Sequence, residues 1–443
     1  MFTDTTYSQL PEQQRLYLND IASAFEISSD ALDKIVGQIT SEMYRGLASN
    51  PMGRASELSM SPTLVHRSEP AQPVSLGMAI DATGKRIRIG SLRDGQGQVS
   101  TQVFYPPSRE NIFDFAAFCI REFLQQHGLE GTALPLGVTI GLPVDSASTD
   151  IAKEDSLDLC GSDVGRRLCS AILRNHLPVH VTSVTNNVVS ELIAARHRDK
   201  ATRVAATFNR GINAAYFEKL ANVEKLNSSS SSDIAINTEV GRFGSLFNSL
   251  PQTMWDRRLD RESRCPHTRA LEKLVADQYL GEIVRNLITD FMDRQLLFSA
   301  SCQVQAISTA YAFHTAYMAP IMEDTSPDLQ MVDALFTTEF DIQSSLADRL
   351  VIRELCEIVA TRAARLAGAI LAALVLKVAD RETSQCIKVA LNGVLFDINL
   401  QLFTKTVDTV KSLLKRRSDA QVEIVFQSRS DDITGAAVNA AKH

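Results

Sequence analysis

The chain has 443 residues, 44% of them hydrophobic and 22% charged, with a net charge of −7 at neutral pH. This is a globular composition, long enough for two domains or lobes, and its acidic balance excludes a general electrostatic attraction to nucleic acid or anionic membrane. Seven cysteines, an odd number without paired spacing, exclude a disulfide framework and a zinc-finger pattern and point to a reducing compartment.

The first residues, MFTDTTYSQLPEQQ, lack the basic region and apolar core of a secretory leader. Residues 11–49 predict helix, because Ala31, Leu32, Ile35, Val36, Ile39 and Met43 follow a three-four spacing. The tract from Pro51 to Pro73, rich in Pro, Ser and Gly, reads as extended connection. SLGMAIDATGKRIRIGSL at 75–92 alternates polar and apolar residues on both sides of Thr83-Gly84 and predicts a hairpin. A helix at 110–127 follows, then strands in LPLGVTIGLP at 134–143, from Pro178 to Val184, and a pair in RVAATFNRGINAAYFEKL at 203–220. His176 and His180 stand four apart, but Pro178 between them disrupts the helix that would align two metal ligands. The serine run at 228–232 reads as a flexible inserted loop.

Residues 270–300 and 345–379 are helical by periodicity. The apolar run LAGAILAALVLKVA at 366–379 is too short to span a bilayer and carries Lys377, so it predicts a buried core helix. Short strands at 387–391 and 422–426 and a small-residue helix at 435–442 complete the chain. Lys415, Arg416 and Arg417 close a helical pattern, where positive charge complements the helix dipole; a localisation signal or nucleic-acid contact is the alternative. The order of hairpin, helix, strand, helix repeats once after a helical insertion, which predicts α/β architecture with mixed sheets and two related lobes. In TSVTNNVVSEL at 182–192, two asparagines stand where strand gives way to helix, a place where α/β proteins hold ligands and often mount catalytic carboxylates.

With its pieces in this order, the chain resembles the hexokinases nearly end to end. RASELSMSPTLVHRSEP is similar to the family's lead-in to its first strand, LPLGVTIGLP to the strand flooring the sugar cleft, and AINTEVGRFGSL and LEKLVADQYLGEIVRNLI to two large-lobe segments. The resemblance implies an actin-like ATPase (ribonuclease H-like) two-lobed α/β fold that closes over hexose and ATP. Its small lobe would take 66–185 plus 427–443, and its large lobe 1–65 plus 186–426.

The site residues are carried over from the same resemblance. The family's Asn-Asp-Thr triplet, whose aspartate is the base, aligns with Thr185, Asn186 and Asn187, so Asn186 stands in place of the aspartate. A neutral amide cannot take the hydroxyl proton, and loss of a general base costs about 10²–10⁴ in rate. The first phosphate loop appears as Asp81-Ala82-Thr83-Gly84-Lys85-Arg86, with Arg88 matching the family's arginine and Asp81 a position associated with Mg. One glycine has gone and long cations replace small donors, which interferes with close approach of backbone amides to phosphate. Asn209-Arg210-Gly211 replaces Gly-Thr-Gly, Asn392-Gly393-Val394 replaces Asp-Gly-Ser, and of the final glycine-rich nucleotide turn only Gly435 remains after Ser430-Asp431-Asp432-Ile433-Thr434.

On the sugar side Asn213, Glu239 and Glu272 match family residues that bond sugar hydroxyls; packing or hydrogen bonding within the lobe is the competing role for the two glutamates. Thr185 replaces the triplet asparagine, Gly141 replaces a serine, and Lys153 is the nearest counterpart of the family's lysine. Lys85, Arg86 and Arg210 are expected either to fill the phosphate region, to capture a small anion such as a sugar phosphate, or to pair with Asp431 and Asp432.

These departures imply a pseudoenzyme, similar to atypical fungal hexokinase-like regulators of carbon-source and starvation responses, including secreted protease production. The expected setting is cytoplasmic or nuclear. A hexose or sugar phosphate and an unidentified regulatory protein are the expected partners, without nucleic acid or membrane. ATP and Mg belong to the alternative, an active ATP-dependent hexokinase or N-acetylglucosamine kinase with a displaced carboxylate as base. A purely structural role is the third reading.

Overall fold

The computed structural model describes residues 10–49, 55–63, 73–81, 85–93, 96–107, 111–141, 144–145, 150–151, 164–246, 249–298, 305–379, 386–393, 396, 400–418, 421–427 and 430–441. The N-terminal helical region is two helices, α1 (Glu12–Phe25) and α2 (Ser29–Leu47). Ser28 caps the second by accepting from the Ala31 N–H at 3.1 Å, and Leu32, Ile35, Val36, Ile39 and Met43 form the buried stripe their spacing predicts.

β1 (Ser61–Thr63) leads to a five-stranded sheet made of β2 (Val74–Ile80), β3 (Ile87–Arg93), β4 (Gln96–Phe104), β5 (Leu134–Ile140) and β6 (Val179–Asn186). Helices α3 (Ile112–His127) and α4 (Val164–Arg174) connect its later strands, and α5 (Asn187–Arg198) leads out of it. The second sheet takes β7 (Thr202–Phe208), β8 (Ile212–Lys219) and β9 (Asp233–Asn237), then, after a helical stretch containing α6 (Met254–Glu262), α7 (Ala270–Val275), α8 (Asp277–Asp293) and α9 (Leu346–Ala379), the strand β10 (Ile387–Asn392), helix α10 (Leu400–Lys415) and strand β11 (Val422–Phe426). Helix α11 (Asp432–Ala440) closes the described chain.

The strand orders are β4-β3-β2-β5-β6 in one sheet and β1-β9-β8-β7-β10-β11 in the other. In the first, three antiparallel strands are followed by two parallel ones; the second repeats this topology with β1 added antiparallel at its edge. The expected hairpin is present as β2 and β3, while its turn at 82–84 lies outside the described residues.

Several expectations need correction. The periodicity gave no sign of β4 or β9: β4 is an edge strand with little apolar alternation, and β9 is only five residues long. The serine run links β8 to β9, and the Ser230 and Ser232 carbonyls accept from the Ala221 and Leu220 N–H groups at 2.9 and 2.8 Å, so it belongs to the hairpin. The helix expected over 270–300 is two helices meeting at Ala276, and α11 begins at Asp432, so the segment expected to be a turn is the helix's first turn. Arg416 and Arg417 bond Asp30 and Asp33 at 2.9 and 2.6 Å, tying α10 to α2 within the chain.

Helix α9 is long and apolar enough to cross a membrane, but 83% of its apolar window is buried inside the fold, as expected of a core helix. Lys377 on it is fully buried and pairs with Glu218 at 2.5 Å, because a charge buried without a partner is prohibitively costly.

Helices α5 and α11 pack against each other between the two sheets, α5 on β7 and β8, α11 on β2, β3 and β5. Three glycines permit this. A Cβ on Gly77 would lie 2.1 Å from the Ile433 carbonyl oxygen, one on Gly137 2.0 Å from that of Ala436, and one on Gly435 1.7 Å from that of Ser190. Gly137→Ala is therefore expected to destabilise the protein by at least ~1–3 kcal/mol through forced separation of backbones. Thermal denaturation beside Gly131→Ala, whose Cβ meets nothing within 4 Å, checks this; equal melting temperatures for the two variants would refute the close-packing argument.

Candidate functional site

Strand β6 ends beside β5 in the parallel part of its sheet, with Ile140 opposite Asn186, and the chain turns into α5 at Asn187. The Asn186 side-chain oxygen accepts from the Val188 N–H at 3.0 Å, capping the helix. On the facing sheet, Asn213 of β8 places its amide nitrogen 2.8 Å from the Asn237 Oδ1, 3.0 Å from the Glu239 Oε1 and 3.4 Å from the Asn186 Oδ1. One amide nitrogen has only two protons, so the two shorter bonds hold the cluster and Asn186 is the loosest acceptor. The Asn213 oxygen accepts from the Glu239 N–H at 3.0 Å, and Asn237 donates to the same Glu239 Oε1 at 2.9 Å. Glu239 holds φ at +53°, a strained conformation that these bonds maintain. Its Oε2 has no protein partner among the described residues.

Glu272, 3% exposed on α7, accepts from the Ile212 N–H at 3.1 Å. Burial, assisted by neighbouring Glu239, raises its carboxyl above the usual range against the pull of Arg269. Gly211 makes this approach possible, since a Cβ there would lie 2.9 Å from the Glu272 Oε2. Gly211, expected to serve phosphate, thus admits a carboxylate.

The structure therefore brings Asn186, Asn213, Glu239 and Glu272 together. Thr185 is not among them: its hydroxyl faces the Ser190 Oγ at 2.6 Å and the Val138 carbonyl at 3.3 Å, because alternate strand residues point to opposite faces. Lys153 and Gly84 lie outside the described residues.

The phosphate-side residues are occupied by internal contacts. Asp81 lies 3.8 Å from Arg86, Arg88 bonds Asp432 at 2.9 Å, and Arg198 pairs with Asp431. The cations that meet Asp431 and Asp432 are thus Arg198 and Arg88, not Lys85, Arg86 or Arg210; Lys85 is exposed and Arg210 acts on Asp277. Asn392 is 7% exposed, donates to the Gln427 carbonyl at 3.0 Å and accepts from Asn209 at 3.1 Å, which joins the ends of β7, β10 and β11. Gly393 and Gly435 pack closely against the backbone of Phe208 and Ser190, where a Cβ would overlap it.

Two family models described as hexokinase match the chain, one over residues 17–197 and one over 203–442. The chain belongs to the hexokinase family. It is 26% identical to the hexokinase of Kluyveromyces lactis, over 97% of this chain and 93% of that one. It is 27% identical to hexokinase-1 of Saccharomyces cerevisiae, over 83% and 80%, respectively. Among solved structures, the Schistosoma mansoni hexokinase complexed with glucose matches with a TM-score of 0.84 at 23% identity, covering 98% of this chain and 99% of that one. The two-lobed α/β hexokinase-type fold of the actin-related superfamily is thereby shown.

Mg is held by one or two carboxylates alongside the phosphates, and Asp81, 3.8 Å from Arg86, is the hairpin carboxylate that could hold it, while Asp432 pairs with Arg88.

Sequence reading overlooked Glu191, whose signal was a single acid inside the mostly apolar run Val188–Ala195 of α5, all of it buried. It accepts from the Ser430 hydroxyl at 2.7 Å. Burial, then the neighbouring Asp432 carboxylate, pushes its pKa up to about 8, against the Ser430 hydrogen bond and the Arg88 and Arg198 cations. The folded protein therefore keeps this proton in a pH range where the unfolded chain, titrating near the ordinary value of about 4.3, has lost it. The group's stabilising contribution is complete below about pH 4, is lost between about pH 4 and 8, and changes no further above that. Denaturation of Glu191→Gln and the unaltered protein at pH 5, 7 and 9 is expected to show the variant's relative stability rising by a few kcal/mol across this window; a pH-independent difference would refute the assignment.

Proposed function

We propose that this protein binds a hexose and does not transfer phosphate to it. The observation that carries this reading is the pair Asn186 and Asn187 at the junction of β6 and α5. Asn186 faces the cluster of Asn213 and Glu239, which supports shifting the triplet by one residue: Asn186 takes the place of the sugar-binding asparagine, and the half-buried Asn187 takes the place of the base. In either register the position is an amide, which accepts no proton at neutral pH. The Asn213–Asn237–Glu239 network and the open Glu239 Oε2 supply the paired donors and acceptors that a sugar hydroxyl needs.

The role we propose for such a protein is regulatory, in carbon-source or starvation responses in the cytoplasm or nucleus, through a protein partner that distinguishes sugar-bound from sugar-free lobes. A ligand shifts such an equilibrium only by binding the two states unequally.

The second reading is an active ATP-dependent hexose 6-kinase. It is supported by full-length similarity to proteins named hexokinases and by the carboxylates of Glu239 and Glu272 in the cluster. Thermal shift and coupled ADP-release assays on glucose and N-acetylglucosamine separate the two. We expect hexose-dependent stabilisation that Glu239→Gln weakens by tenfold or more in affinity, without ADP release above background. Hexose-dependent turnover in the common enzymatic range of about 1–10³ s⁻¹, abolished by Asp81→Ala, would establish the second reading instead.

A further inference from the structure

We infer that Arg88 belongs to a phosphate-class anion site that the chain fills with its own Asp432 carboxylate, so that β3, α11 and α5 are tied together without a nucleotide. This rests on the reading that the protein does not transfer phosphate.

Four observations converge on it. Arg88 leaves the hairpin strand β3 and meets Asp432 at a single pair of atoms, Nη2 to Oδ2 at 2.9 Å. A guanidinium carries five N–H donors in a planar fork suited to two oxyanion oxygens at once, and its remaining donors have no protein partner among the described residues. The Asp432 side chain is 6% exposed and that of Arg88 21%, so the pair is partly desolvated and its carboxylate could not stand there without the cation. The adjacent residue repeats the arrangement, with Asp431 on Arg198 from the end of α5. Between the two pairs, Glu191 is buried against the Ser430 hydroxyl, so three acidic side chains from α5 and the start of α11 share one small region with two arginines.

Protein carboxylates thus supply the oxyanions that phosphate would supply elsewhere. They do so covalently attached to α11, at a local concentration that a free anion at millimolar levels does not match. Phosphate and the phosphoryl groups of nucleotides or sugar phosphates share the chemistry that such a site recognises.

The test removes the internal anion at constant volume. At neutral pH Asp432→Asn alone would leave Glu191 able to ionise and replace it on Arg88, so the double variant Asp432→Asn/Glu191→Gln is the informative one; if it does not fold, Asp432→Asn is measured at about pH 6, where burial keeps Glu191 protonated. Melting temperature is followed against inorganic phosphate, with chloride at matched ionic strength, and then against ATP and glucose 6-phosphate. The expected result is a saturable phosphate-dependent stabilisation at least tenfold tighter than in the unaltered protein, lost when Arg88→Ala is added. A folded variant that responds to phosphate no more than the unaltered protein, or equally to chloride, overturns the inference. Hexose turnover by the unaltered protein would instead overturn the functional reading on which it rests, so the two failures are distinguishable.

Discussion

The close seating of α11 between a sheet and α5 is the constraint on which the rest of this structure depends. Gly77, Gly137 and Gly435 bring backbone against backbone where any side chain would overlap a carbonyl oxygen. Because α5 rests on one sheet and α11 on the other, that contact sets how the two sheets face each other. It also delivers the start of α11, with Ser430, Asp431 and Asp432, to Glu191, Arg198 and Arg88. Electrostatics at the junction follows from packing there: carboxylates brought this close must be neutralised by arginines or keep their protons.

The sugar-side cluster follows a different logic. Its members are held by amide hydrogen bonds, and Asn213 acts as the hub because one side chain offers both two protons and an acceptor. Asn186 serves the fold as a helix cap as well as a carboxylate would, since either side-chain oxygen accepts from the N–H of the first turn. The fold therefore places no demand for an acid at the β6–α5 junction. A family fold at full length with amides at this point is physically consistent, which is why family membership and activity are separate questions.

Much of the architecture was legible in order and period. The stripe of α2, the β2–β3 hairpin, the buried nature of α9 and the repeated arrangement of strands and helices all follow from where apolar residues recur. β4 and β9 were not legible, because a half-solvated edge strand and a five-residue strand carry too little alternation to register. Asn213, Glu239 and Glu272 were found through family resemblance, whereas Glu191 is visible in hindsight as the one acid in the buried run of α5. Which of Thr185 and Asn186 meets the facing sheet was not legible, because strand alternation settles it: Asn186 meets Asn213, while Thr185 meets Ser190.

By itself, the sequence determined the two-sheet α/β order, the core helices and the presence of amides where the strand meets the helix, because these are properties of consecutive residues. Only the tertiary structure decided the partners. Arg88 and Asp432 lie 344 residues apart, and Asn392 and Asn209 183 apart, so neither local period nor composition holds information about their meeting. The folded chain brings the charges together because three side-chain-free positions let two helices and a sheet approach closely, and the amides because β7 and β10 pair side by side.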